Sequence, residues 1–155
     1  MIRILALFTW VLAASVATAQ EVEDPTVAQA WVADKTRVFD ATSLDIDTLI
    51  WLARPVVVFA DSPNAPRFVQ QMDLLLARPD ELAQRDVIVL TDTDPSAQSA
   101  LRTRLRPRGF GLVIIGKDGE VELRKPSPWD VREITRTIDK MPLRQQEVED
   151  RRLVQ

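Results

Sequence analysis

The sequence predicts an α/β fold, a three-layer α/β/α sandwich around a four-stranded mixed sheet. Three observations carry this. Short β-branched apolar runs stand at residues 55–60, 87–90 and 112–115, continuous rather than alternating, as in strands covered on both faces. Between them apolar residues recur at helical spacing. After the third run, Lys117-Asp118-Gly119 supplies an Asp-Gly hairpin signal into an alternating fourth strand at residues 120–124.

In chain order, Asp24-Pro25 followed by Val27 and Trp31 marks a helix ahead of the domain, and residues 45–52 form a short helix leading into the first strand. Phe68, Met72, Leu75 and Leu76 define a helix after the first strand. Ala97, Ala100, Leu101 and Leu105 define another after the second, and Val131, Ile134, Ile138 and Met141 a third after the hairpin. Each start is marked by an N-cap residue and a proline: Ser62-Pro63, Asp94-Pro95 and Ser127-Pro128. The side chain accepts from free amides while proline presets the first turn. The last of these helices ends near Asp139, ahead of Pro142. Residues 145–155 are highly charged and helical in character. Trp31, Trp51 and Trp129 are expected in the core or at its edge. The order β-α-β-α-β-β-α is the thioredoxin-like arrangement, with helices on both faces of the sheet by the usual handedness of crossovers.

The N-terminus has a different purpose. Arg3 precedes an apolar run to Val16, and Ala17-Thr18-Ala19 gives the small-residue pattern of a cleavage site. This describes a secretory signal peptide at residues 1–19; the run is shorter than the roughly 20 residues of a membrane span. We expect a periplasmic or secreted protein with no membrane span after cleavage. Residues 20–43 form a partly helical N-terminal segment, residues 44–147 the domain, and residues 148–155 a charged tail.

Composition excludes whole reaction classes. The chain has no cysteine and no histidine, which removes thiol redox catalysis, a histidine base and the usual transition-metal ligands. A lipoprotein anchor, which needs a cysteine, is excluded as well. Without Arg3 the balance is 19 basic to 23 acidic residues, which argues against a nucleic-acid partner.

Three segments carry a family resemblance: Arg54-Pro55-Val56-Val57-Val58-Phe59-Ala60, then Gly116-Lys117-Asp118-Gly119, then Ile138-Asp139-Lys140-Met141-Pro142-Leu143-Arg144 ending at Glu147. In this order and spacing the chain resembles the family called domain of unknown function 4174. The resemblance implies a thioredoxin-like fold nearest to peroxiredoxins and an exported location, with no established activity. Thioredoxins and peroxiredoxins place a reactive cysteine just after the first strand; the matching stretch here is Asp61-Ser62-Pro63-Asn64-Ala65-Pro66, without a thiol.

Several residues remain as candidates. Ser62 stands at the nucleophile position, where Lys117 is the available base, though a helix cap explains it as well. Asp61 is a proton acceptor, a ligand-orienting group or a turn former. Arg102, Arg104, Arg106 and Arg108 either complement a helix C-terminus or contact an anion. Arg144 pairs with Asp139, Asp118 or Asp61, or faces a pocket beside Asp61. Asp92 and Asp94 have the oxygen chemistry for calcium but lack the rest of a calcium loop. The candidate binding residues are therefore Asp61, Ser62, Arg67, Arg108, Lys117, Asp139 and Arg144. No catalytic residue, metal ion or cofactor is expected. The expected function is an exported, non-catalytic binding module whose partner is a protein or an anionic ligand; the alternative is a carboxylate- or serine-dependent hydrolase of the envelope.

Overall fold

The computed structural model describes residues 24–154; the signal-peptide expectation lies outside them. In order the elements are α1 (Val27–Ala33), β1 (Val38–Asp40), a 3-10 turn (Ile46–Leu49), β2 (Arg54–Phe59), α2 (Pro66–Leu76), α3 (Pro79–Ala83), β3 (Val87–Asp92), a second 3-10 turn (Pro95–Ala97), α4 (Ala100–Leu105), β4 (Gly111–Ile115), β5 (Val121–Lys125), α5 (Val131–Asp139) and α6 (Pro142–Leu153). Among the described residues no helix is long and apolar enough to cross a membrane.

The sheet has five strands rather than the four expected, in the order β1-β3-β2-β4-β5. The addition is β1, whose three residues run parallel to β3 through Val38↔Val89, Phe39↔Leu90 and Asp40↔Thr91. Three residues are too few to show a period of two, so the sequence pattern does not reveal it. The five-residue α3 escapes for the same reason. β2 lies parallel to β3 and antiparallel to β4, and β4 is antiparallel to β5.

The continuous apolar runs are explained by burial on both faces. Successive strand residues point to opposite sides. Val57, Phe59, Ile88, Leu90, Val113 and Ile115 pack with Trp31, Leu49, Leu101 and Leu105 on one face. Val56, Val58, Val87, Val89, Leu112 and Ile114 pack with Leu75, Leu82, Val131, Ile134 and Ile138 on the other. Each fully buried aliphatic side chain contributes about 1.5–3 kcal/mol, so three strands filling two cores hold the domain without a crosslink.

Helix starts correct the sequence reading in three places. α2 begins at Pro66 behind Ala65, with no side-chain cap. The proline that occupies its first turn is Pro66, and Ser62 Oγ instead accepts the Asn64 N–H at 3.2 Å in the preceding turn. α5 is capped by Asp130, whose Oδ1 accepts from the Glu133 N–H at 2.8 Å, not by Ser127. Asp94 does cap, but the turn it starts stops at Gln98 with φ 46°, and Ser99 caps α4 afresh. α1 opens with a capping box between Thr26 and Gln29.

The tryptophans divide. Trp31 is 1% exposed and donates from Nε1 to Val87 O at 3.2 Å. Trp129 precedes α5 and packs half-buried against the second core. Its backbone is bonded in both directions by the buried Gln71 amide, at 2.8 and 2.9 Å. Trp51, expected in the core or at its edge, is 68% exposed, with a left-handed φ of 63° just before β2.

Candidate functional site

The sheet sorts the candidate residues into two groups at its opposite ends. β2 runs from Arg54 to Phe59, so its six residues separate them by about 20 Å. Asp61, Ser62, Arg67 and Arg108 belong to the end beyond Phe59. Lys117, Asp139 and Arg144 belong to the end at Arg54.

At the Phe59 end, exposed Asp61 lies beside the loop that leads into β4: a Cβ added to Gly109 would stand 3.7 Å from Asp61 Oδ2, and Gly109 has φ 64°. Arg67 Nη1 donates to Pro126 O at 3.3 Å, tying α2 to the exit of β5. Between the Gly109 loop and β5 is a cavity of about 250 Å³. Arg106, Arg108, Arg124 and Lys125 line it, with Phe110, Pro107 and Pro126 as apolar wall, and no carboxylate is among its lining residues. Arg124 Nη1 donates to Leu105 O at 2.6 Å and Lys125 Nζ lies 4.2 Å from the Trp129 ring centre. Neither contact neutralises a charge.

The arginine cluster of the sequence is therefore not one surface. Arg102 is partly buried in an ion pair with Asp92, Nε to Oδ1 at 2.7 Å, and its Nη2 donates to the carbonyl oxygens of Ala60 and Asp92. Ser99 Oγ donates to the other Asp92 oxygen. This group stitches the ends of β2 and β3 to α4 and occupies Asp92, so the calcium reading of Asp92 and Asp94 gains no open ligand pair. Arg104 pairs with Asp47 at 3.0 Å. Arg106 and Arg108 remain, and the cations that join them come from β5.

The Arg54 end is a charge network. Arg54, 1% exposed, donates from Nη2 to Glu147 Oε1 at 2.8 Å and from Nη1 to Arg85 O at 2.9 Å. Lys117 Nζ bridges Asp86 at 2.9 Å and Glu147 at 3.1 Å. Lys35 and Arg151 also reach Asp86. Burial pushes the Asp86 and Glu147 carboxyls up, but hydrogen bonds and charge outweigh it and hold both below the ordinary carboxylate range: from Lys35 and Lys117 on Asp86, and from Arg54 and Lys117 on Glu147. Asp139 is lowered chiefly by its hydrogen bond from Arg85, which grips it at 2.8 Å through two nitrogens. Arg144 is buried against Glu147 at 3.4 Å and Asp139 at 3.7 Å, and its Nε has no hydrogen-bond partner.

Two sequence readings are corrected by this layout. Arg144 pairs with Asp139 as one reading held, but it does not face Asp61. Lys117 cannot serve Ser62 as a base, being engaged at the other end of the sheet. Arg54 and Glu147 stood in the recognised segments without a role, and the network shows why a cation directly precedes the apolar run. Asp86 and the β5 cations carried no sequence signal, since their partners come from distant segments.

Comparison with known proteins agrees with this architecture. Residues 45–147 match the family model described as Domain of unknown function (DUF4174). No curated protein matches the chain. Among solved structures it is similar to chloroplastic thioredoxin z (20% identity, 67% of this chain and 93% of that one, TM-score 0.52). It is also similar to the reduced 2-Cys peroxiredoxin of Plasmodium vivax (14% identity, 62% and 81%, TM-score 0.51). Reduced desulfothioredoxin from Desulfovibrio vulgaris Hildenborough is comparable (20% identity, 67% and 97%, TM-score 0.50). These likenesses show a thioredoxin-like fold.

Proposed function

The chain belongs to the DUF4174 family, and from that premise we propose that it is an exported, non-catalytic thioredoxin-like module that binds an anionic ligand. The observation that carries this reading is the cavity between the Gly109 loop and β5. Four cationic side chains converge there, no carboxylate lines the cavity, and among the described residues no ion pair engages any of the four. At Arg54, Arg85, Arg102 and Lys117, by contrast, carboxylates neutralise the cations. Mutual repulsion of uncompensated charges is a cost, and a bound anion relieves it. The site lies at the end of the sheet where related folds carry their thiol, and this chain has none.

Export rests on the Arg3-to-Ala19 pattern. The non-catalytic reading rests on Ser62, whose oxygen serves a local turn, and on the separation of Ser62 from Lys117. Asp61 beside Gly109 and Arg67 at Pro126 lie at the same end of the sheet as the cavity.

The test is calorimetric titration of the purified protein with pyrophosphate and with sulfate, at low and at physiological salt. Binding is expected, weakening as salt rises, and an Arg108→Glu/Arg124→Glu variant should lose about tenfold or more in affinity, or about 1.4 kcal/mol. Heat signals that are absent, or unchanged in the charge-reversed protein, would contradict the proposal.

A further inference from the structure

A second surface at the Arg54 end is independent of the cationic cavity. Trp51 is 68% exposed in a left-handed backbone conformation, φ 63°. That conformation is costly for a bulky residue. It is held by the Trp51 N–H donating to Lys117 O at 2.7 Å. Opposite the indole stands one face of α6: Leu143, Gln146, Glu147 and Asp150, spaced so that a helix presents them together. Trp51, Lys117 and these four residues enclose a cavity of about 190 Å³.

Both walls are fixed. Glu147 is clamped by Arg54 and Lys117, which anchors α6, and the same Lys117 carries the carbonyl that holds Trp51. Among the described residues the side chains of Gln146 and Asp150 make no hydrogen bond, so an amide and a carboxylate stand open beside an exposed aromatic face. An anion would meet Asp150 and Glu147. A quaternary ammonium is best held by several rings, and here there is one. A ring with an apolar C–H face and polar hydroxyl edges matches all the parts.

We propose that Trp51 and the Leu143–Gln146–Asp150 face of α6 form a binding site for a neutral saccharide, a pyranose ring stacking on the indole while its hydroxyls bond to Gln146 and Asp150. The outward indole and its strained backbone are then features of a site rather than a packing defect.

The experiment titrates the purified protein with cellobiose, maltose and N,N′-diacetylchitobiose, following tryptophan fluorescence and backbone amide shifts. At least one should give a saturable response centred on residues 50–52 and 143–150. Trp51→Gly should lose about tenfold or more in affinity while melting no lower than the parent, because glycine accepts φ 63° freely. Asp150→Asn should weaken binding with the fold unchanged. No saturable response to any of the three, or a response that persists in Trp51→Gly, would overturn the proposal. Saturable shifts confined to the neighbourhood of Arg108 and Arg124 would overturn it too, while leaving the anion site standing.

Discussion

At Ser62 the hydroxyl accepts one local backbone N–H in the turn before α2. Ser62→Ala should therefore change stability by less than about 0.5 kcal/mol, where loss of a true helix cap would cost about 1 kcal/mol; a denaturant titration separates the two. Asp92 is the opposite case. It is fully buried and receives Arg102 and Ser99, so Asp92→Ala strands a partly buried guanidinium and should cost about 3 kcal/mol, read from the same experiment. Both residues are acidic or polar ends of strand-to-helix turns in the sequence. Their ranks are reversed by partners that spacing does not reveal, because Arg102 reaches back across ten positions of chain to the end of β3.

At the scale of elements, α6 is held by charge more than by apolar contact: among its residues Arg144 is the buried one. Its attachment passes through Glu147 to Arg54 and Lys117, and through Arg151 to Asp86. The folded-state values of Glu147 and Asp86 are depressed, so their contribution is complete above the unfolded-state range near pH 4 and is lost as pH falls through the depressed values. Acid should release α6 before the sheet unfolds. Amide spectra recorded from about pH 6 to pH 2 should show α6 signals moving ahead of those of β2 and β3, and Glu147→Gln should weaken that early step. Loss of all signals together would contradict this. The helices themselves were legible because their apolar period faces the sheet. Their starts were less so: a Ser-Pro or Asp-Pro pair marks a turn as well as a helix, and at Ser62 and Ser127 the turn comes first.

Over the whole molecule, the three interior strands were legible because burial on both faces writes a continuous apolar run. β1 was not, since an edge strand of three residues borrows its register from β3. The recognised segments located residues of one end of the sheet, where Arg54, Lys117, Asp139, Arg144 and Glu147 form a structural clamp. The cationic cavity at the other end is only half legible: Arg108 is a binding candidate in the sequence, Arg106 belongs to a cluster that divides, Arg124 reads as part of an edge strand, and Lys125 lies just past that strand with no reading. The charge clamp thus gathers at the Arg54 end and the unpaired cations of the cavity at the other, and the proposed anion function belongs to the second. The most direct measurement is a map of backbone amide shifts during a pyrophosphate titration. The account predicts saturable shifts at residues 106–111 and 124–126, with Lys117 and α6 unmoved. Shifts confined to the Arg54 end, or none that saturate, would contradict it.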